Sequence, residues 1–366
     1  MRIGVNARVL DYESGGAKEY LISLLEALLG VDQGNRYVLF YTNKSYFGSF
    51  PGAEEVSLGV SNRLYFDWVK LPAALRRHKI DLAFFPFSNM SPAVGRPSVV
   101  TMHDLGYFVR DYRMYKLADT IYMRYAIRRA AKNATRLIAV SEATRRDLTH
   151  ITGAPGDKTA TIHLAPDAMY AREVSPEETA ALRERHGLTR DFFLYTGNIS
   201  PRKNLRALLA AFKLAAAHCD FDLVVTGGTA WGGAWDDWVR EMGLTARVRK
   251  LGFIPRWQMP VLYKAATVFV FPTLFEGFGL PVLEAQAQGV PVLCSNTTAL
   301  PEVAGDSAYL VDPGSVAAIA EGLIRLAGDP GLRAELAAKG LANARRFSWE
   351  KTARQTLDVF RQAARR

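Results

Sequence analysis

Cysteine is almost missing: Cys219 and Cys294 are the only two in 366 residues. So few thiols exclude a disulfide framework and leave no Cys spacing of the kind that holds a metal. Charge is modest at 22%, whereas 49% of residues are hydrophobic, which excludes a disordered chain and suits a globular α/β protein. No apolar run approaches the ~20 uninterrupted residues of a membrane-spanning helix. The chain also lacks repeats, low-complexity tracts and a loop D-x-D run suited to a divalent metal. A cytoplasmic protein of two ordinary-sized domains is the expectation.

What is present begins with strand and helix signals in alternation, which predict a mostly parallel sheet covered on both faces. In the amino-terminal half the predicted strands are Arg2 to Asn6, Tyr37 to Tyr41, Leu82 to Phe85, Ser98 to Met102 and Leu137 to Val140. After the first strand, Gly15 and Gly16 precede a helix from about Ala17 to Leu29, where α/β ligands bind; a plain turn accounts for the pair equally well. His103 and Asp104 follow the fourth of these strands, so the histidine faces the ligand edge or simply caps a loop. Asp104 suits an orienting or loop-capping part.

The net charge of +10 is unevenly spread. Between Arg110 and Arg146 ten Lys or Arg face three acids, and from Tyr112 to Asn133 the pattern is helical, with tyrosines and aliphatics among the cations. Such a mixture suits an anionic membrane surface, and a solvated basic face over an ordinary core stripe is the alternative. Ser141 is placed to cap the next helix.

A Pro-, Asp- and Glu-containing stretch around Pro166 to Glu178 marks a link. Beyond it, Phe192 to Thr196 reads as a buried strand, followed by GNISPRKN and a helix from about Leu205 to Ala217. Arg202 and Lys203 thus stand at a helix start, where cations oppose the dipole and are better explained by a bound anion. Leu223 to Thr226 leads into Gly227 and Gly228, and Arg249 to Ile254 gives a further strand and loop. Val268 to Phe271 is a strand, and a helix opens at Pro281 and closes at Gly289. Between them Gly277 and Gly279 let the backbone approach a phosphate, and Glu276 and Glu284, eight positions apart, read as binders of sugar or ribose hydroxyls. Leu300 to Gly305 and Leu310 to Pro313 are expected to complete the sheet edge, and Phe347 to Trp349 restarts a last helix.

The E-x7-E spacing in FEGFGLPVLEA resembles the large retaining glycosyltransferase family, family four in the usual classification, and the likeness covers nearly the whole chain. It implies an α/β GT-B fold, two Rossmann-like doubly wound domains facing a central cleft. An acceptor domain would span 1–168, a nucleotide-sugar donor domain 169–347, and a last helix, 348–366, would cross back to the first domain. It further implies that Gly15 and Gly16 lie near the donor phosphates and the acceptor, and that His103 contacts the transferred sugar. Arg202 and Lys203 would grip the diphosphate and stabilise the leaving group. Gly197 and the loop Gly277, Phe278, Gly279 and Leu280 would line the donor, with the nucleobase against the backbone of Phe253 and Ile254. Glu276 would hold a sugar hydroxyl and Glu284 the ribose. His103, Glu276, Arg202 and Lys203 are the expected catalytic set, with no cofactor and no metal. Some members carry an Arg after the glycine, where this chain has Asn198.

The run TGNISPRKN is similar to that of many bacterial mannosyl- and other hexosyltransferases of surface-polysaccharide assembly, which favours GDP-mannose over UDP-sugars. The expected partners are a nucleotide-sugar donor and a saccharide or lipid-linked saccharide acceptor, with peripheral contact to an anionic membrane at its cytoplasmic face and no nucleic acid. The alternatives are a UDP-sugar enzyme with a soluble acceptor, a glycosidase using the two glutamates as acid and nucleophile, and a non-catalytic nucleotide-sugar or nucleic-acid binding protein.

Overall fold

The computed structural model describes residues 1–11, 15–95, 97–109, 117–228 and 234–365. They divide into two compact units: one holds the described chain before Ala165 together with the stretch from Ser348, and the other spans Ala165–Phe347.

The first unit is built on a seven-stranded parallel sheet. Its strands are β1 (Arg2–Asn6), β2 (Arg36–Tyr41), β3 (Glu54–Ser57), β4 (Leu82–Phe85), β5 (Ser98–Met102), β6 (Arg136–Ala139) and β7 (Thr159–Thr161), in the order β3-β2-β1-β4-β5-β6-β7. The central strands are buried along their length, as strands covered on both faces must be. The edge strands β3 and β7 were not among the expected ones. They are three or four residues long, only partly buried, and their sequences EEVS and TAT carry no apolar run. Ser141 caps the helix Glu142–Thr152 by accepting from the Thr144 amide, as expected. The basic helix spans Leu117–Asn133; the start assigned to it from Tyr112 lies outside the described residues.

The second unit carries β8 (Phe192–Thr196), β9 (Asp222–Thr226), β10 (Val248–Gly252), β11 (Val268–Phe271), β12 (Val292–Ser295) and β13 (Tyr309–Val311). All are parallel, in the order β10-β9-β8-β11-β12-β13. In both sheets the order reverses beside the first strand of the unit, between β1 and β4 and between β8 and β11. In open α/β sheets ligands bind outside the carboxyl ends of strands at such a switch point. One assignment needs correcting: Leu300–Ala304 is a helix, not sheet edge. Pro301 in its first turn has no N–H for a ladder but suits a helix start, and Leu300, Val303 and Ala304 turn inward at helical spacing.

Candidate functional site

Two loops leave the switch point of the second sheet, and both carry the residues singled out from the sequence. The loop after β8 runs from Gly197 into a 3-10 turn, Pro201–Lys203, and then the helix Leu205–Ala215. The loop after β11 runs from Pro272 to Gly279, the cap of the helix Leu280–Ala287. Backbone stitches hold them together: the Leu274 amide donates to the Arg202 carbonyl at 2.8 Å. Asn204 Nδ2 donates to the Pro272 carbonyl at 3.0 Å and to that of Pro313 at 2.8 Å.

This stitching assembles a charge cluster. Lys203 Nζ lies 2.5 Å from Glu276 Oε1 and 4.7 Å from the centre of the Phe271 ring. Arg202 Nη1 donates to the same carboxylate oxygen and to the Phe275 carbonyl, each at 3.0 Å. Lys203 and Glu276 are both buried. Burial by itself would raise the Glu276 pKa, but the two cations outweigh it and hold the carboxyl below its ordinary value. The cations expected to need an anion therefore have one from the chain, 73 residues further along. One carboxylate shared by two cations leaves the cluster net positive, which suits a more highly charged anion.

Behind it, Gly279 has φ of +108°, and an added Cβ would sit 2.4 Å from Leu300 Cδ2, so that turn requires glycine. Gly227 packs still closer on the loop after β8: a Cβ there would meet the Gly197 carbonyl oxygen at 2.2 Å.

Glu284 lies one turn into the Leu280–Ala287 helix, and Tyr263 donates a hydrogen bond to its Oε2 at 2.8 Å. The Tyr263 hydroxyl is also 2.8 Å from Thr196 Oγ1, so a buried line of hydroxyls runs from the end of β8 to the carboxylate. Burial raises the Tyr263 pKa well above its ordinary value and keeps it a proton donor. Nothing local in the sequence marks this support, since Tyr263 stands 21 residues from Glu284 and on another helix. Thr298, whose hydroxyl accepts from the Glu276 amide at 3.2 Å, was likewise unmarked. Phe253 and Ile254 follow β10, two strands from β8: the Phe253 ring is 87% exposed, whereas Ile254 joins the core.

The remaining candidates belong to the first unit. Gly16 opens the helix Gly16–Val31, with Gly15 as its cap, and among the described residues no atom beyond their chain neighbours and that helix's own backbone lies within 4 Å of a Cβ added to either. His103 follows β5; its amide donates to Ser88 Oγ at 3.1 Å, and its Nε2 is 2.7 Å from the Pro86 carbonyl. A carbonyl only accepts, so the proton sits on Nε2 and Nδ1 is the lone-pair nitrogen of the neutral ring. Burial against Tyr20, whose ring meets the imidazole edge-on at 4.7 Å, lowers the pKa and keeps the ring neutral. Asp104 caps the loop as expected, accepting from the Gly106 amide at 2.9 Å.

Residues 178–361 match the family described as Glycosyl transferases group 1, and residues 14–168 match Glycosyltransferase Family 4. The O-antigen chain mannosyltransferase B of Escherichia coli is 35% identical over 272 residues, which cover 72% of this chain and 70% of that protein. The chain belongs to the glycosyl transferases group 1. It is a glycosyltransferase, and its two parallel-sheet units are those of the GT-B fold. A sucrose-phosphate synthase from Thermosynechococcus elongatus shares that fold, with a TM-score of 0.82, 22% identity, and coverage of 99% of this chain and 98% of that one. The serotype-specific mannosyltransferase WbdA of Escherichia coli is 29% identical over 76% of this chain, but the match spans only 36% of its own length.

Proposed function

We propose that this glycosyltransferase moves a mannosyl residue from GDP-mannose to a glycan or lipid-linked saccharide, with retention at the anomeric carbon and without a metal. The observation that carries the reading is the Arg202, Lys203 and Glu276 cluster at the switch point of the second sheet. Likeness to an O-antigen mannosyltransferase supports mannose over other hexoses.

In this mechanism the C1–O bond of the donor breaks with its electron pair leaving on the diphosphate. Arg202, Lys203 and the amides of the Gly277–Leu280 loop meet charge that grows only as the bond lengthens, so they stabilise the transition state more than the bound donor. The incoming diphosphate competes with Glu276 for both cations, which turns that carboxylate toward sugar hydroxyls and toward the positive charge developing on the ring. Glu284, held by Tyr263, accepts from the ribose hydroxyls, and His103 Nδ1 accepts from a hydroxyl of the transferred sugar. The acceptor oxygen bonds to C1 from the face the diphosphate leaves, and its proton passes to the departing phosphate oxygen.

The test is the one-bond carbon–hydrogen coupling at C1 of the product formed from GDP-α-mannose. An α-linkage is expected, and a β-linkage overturns retention. A thermal-shift panel of GDP, UDP, ADP and dTDP tests the base: stabilisation by GDP is expected, and stabilisation by UDP alone replaces the donor.

A further inference from the structure

The first unit exposes apolar and basic side chains to which the proposed transfer step assigns no part. On the helix Leu117–Asn133, Leu117, Ile121, Tyr125, Arg128 and Lys132 fall at spacings of four, four, three and four, and all are exposed. They therefore form one stripe, apolar at its start and cationic at its end. Leu117 is 76% and Ile121 62% exposed. A second element of the same unit, the π-helical turn Phe66–Lys70 and the helical turn before it, contacts this helix and carries further apolar side chains. There Phe66 and Asp67 point inward while Leu64, Tyr65, Trp68 and Val69 are exposed. Arg63 joins the two elements: its guanidinium lies 4.4 Å from the centre of the Tyr122 ring and donates to Met123 Sδ at 3.1 Å.

Soluble surfaces scatter large apolar side chains singly; seven on two adjoining elements, rimmed by cations, mark a docking surface. Charge decides the occupant. The helix Leu117–Asn133 carries Arg124, Arg128, Arg129 and Lys132 against the single acid Asp119, and an open groove of about 570 Å³ is lined by those four cations with Ile121, Tyr125 and Asn133. Arg124 and Arg129 are held in place by the carbonyls of Tyr107 and Pro92, at 2.6 Å each, and Arg128 by the Phe108 ring at 4.9 Å. A second copy of the chain would set like charges against each other across such a face. Trp, Tyr and aliphatic side chains beside Arg and Lys instead match the boundary of an anionic bilayer, with rings at the headgroup level and cations at the phosphates.

We infer that this face docks the protein on an anionic lipid surface, the cations drawing it in and Leu64, Trp68, Ile121 and Tyr125 entering the headgroup layer. The attraction weakens in salt, whereas the apolar insertion does not. Sedimentation with phosphatidylglycerol vesicles, against phosphatidylcholine vesicles, separates the two parts. Wild type is expected to partition onto phosphatidylglycerol at low salt and to retain part of that binding at high salt. Arg128→Glu with Lys132→Glu should lower low-salt partition by at least roughly fivefold for each cation lost. Leu64→Ser, Trp68→Ser, Ile121→Ser and Tyr125→Ser together should abolish the salt-resistant part. These side chains are exposed, so melting temperatures should stay unchanged. Absence of wild-type binding to phosphatidylglycerol at low salt overturns the inference, as does equal partition onto phosphatidylcholine. So does light scattering that shows a lipid-free dimer which the serine variant dissociates.

Discussion

Glu276 shares one carboxylate between two cations, and that arrangement makes separable demands on stability and binding. Glu276→Gln leaves Lys203 buried beside an uncharged amide, so the fold should lose about 3 kcal/mol, the lower end for breaking a buried pair. A nucleoside diphosphate would restore negative charge there. Its addition should raise the melting temperature of the variant by more than that of wild type, as differential scanning fluorimetry with GDP would show. The pH dependence has a definite sign. The folded carboxyl lies below its ordinary value, so the stability it contributes is complete above that value and is lost as pH falls through the folded pKa. Melting curves from about pH 6 down to about pH 3 should fall more steeply for wild type than for Glu276→Gln. His103 acts in the same direction: held below the ordinary imidazole value, it weakens the fold as pH drops through that range. The residue types were legible in the sequence because charge at a helix start is conspicuous. Their mutual pairing was not, since nothing local links positions 73 residues apart.

At the scale of the element, the loop from β11 into the Leu280–Ala287 helix depends on backbone shape more than on side chains. Gly279→Ala adds a Cβ at positive φ directly into Leu300. It should cost about 1–3 kcal/mol in urea denaturation, and it should weaken nucleotide binding because the loop amides shift. β1, β4, β5, β8 and β11 were readable to the residue because strands covered on both faces carry apolar centres, even where polar residues end them as in β1. The short edges β3 and β7 escaped because one solvated side removes that signal. Leu300–Ala304 was misplaced because an apolar pair with a proline reads alike as a strand end and as a helix start.

For the whole molecule, the chain's last helix, Trp349–Ala364, completes the first unit after the second has been built. Phe360 is fully buried, its ring centre 5.1 Å from that of Phe84 in β4, and Thr352 donates to the His163 carbonyl at 2.7 Å. Phe360→Ala should therefore cost about 3–5 kcal/mol, all of it in the first unit. Calorimetry should show one transition displaced while the second unit still binds nucleotide. This return of the chain was legible only through the family resemblance, since no spacing in an alanine-rich tail points to a partner more than two hundred residues earlier. Whether protein cations rather than a metal hold a nucleoside diphosphate is decided by titrating GDP calorimetrically in EDTA. Wild type should bind undiminished, with Lys203→Ala weaker by about 1.5–3 kcal/mol. Binding that vanishes in EDTA and returns with magnesium would contradict a metal-free site.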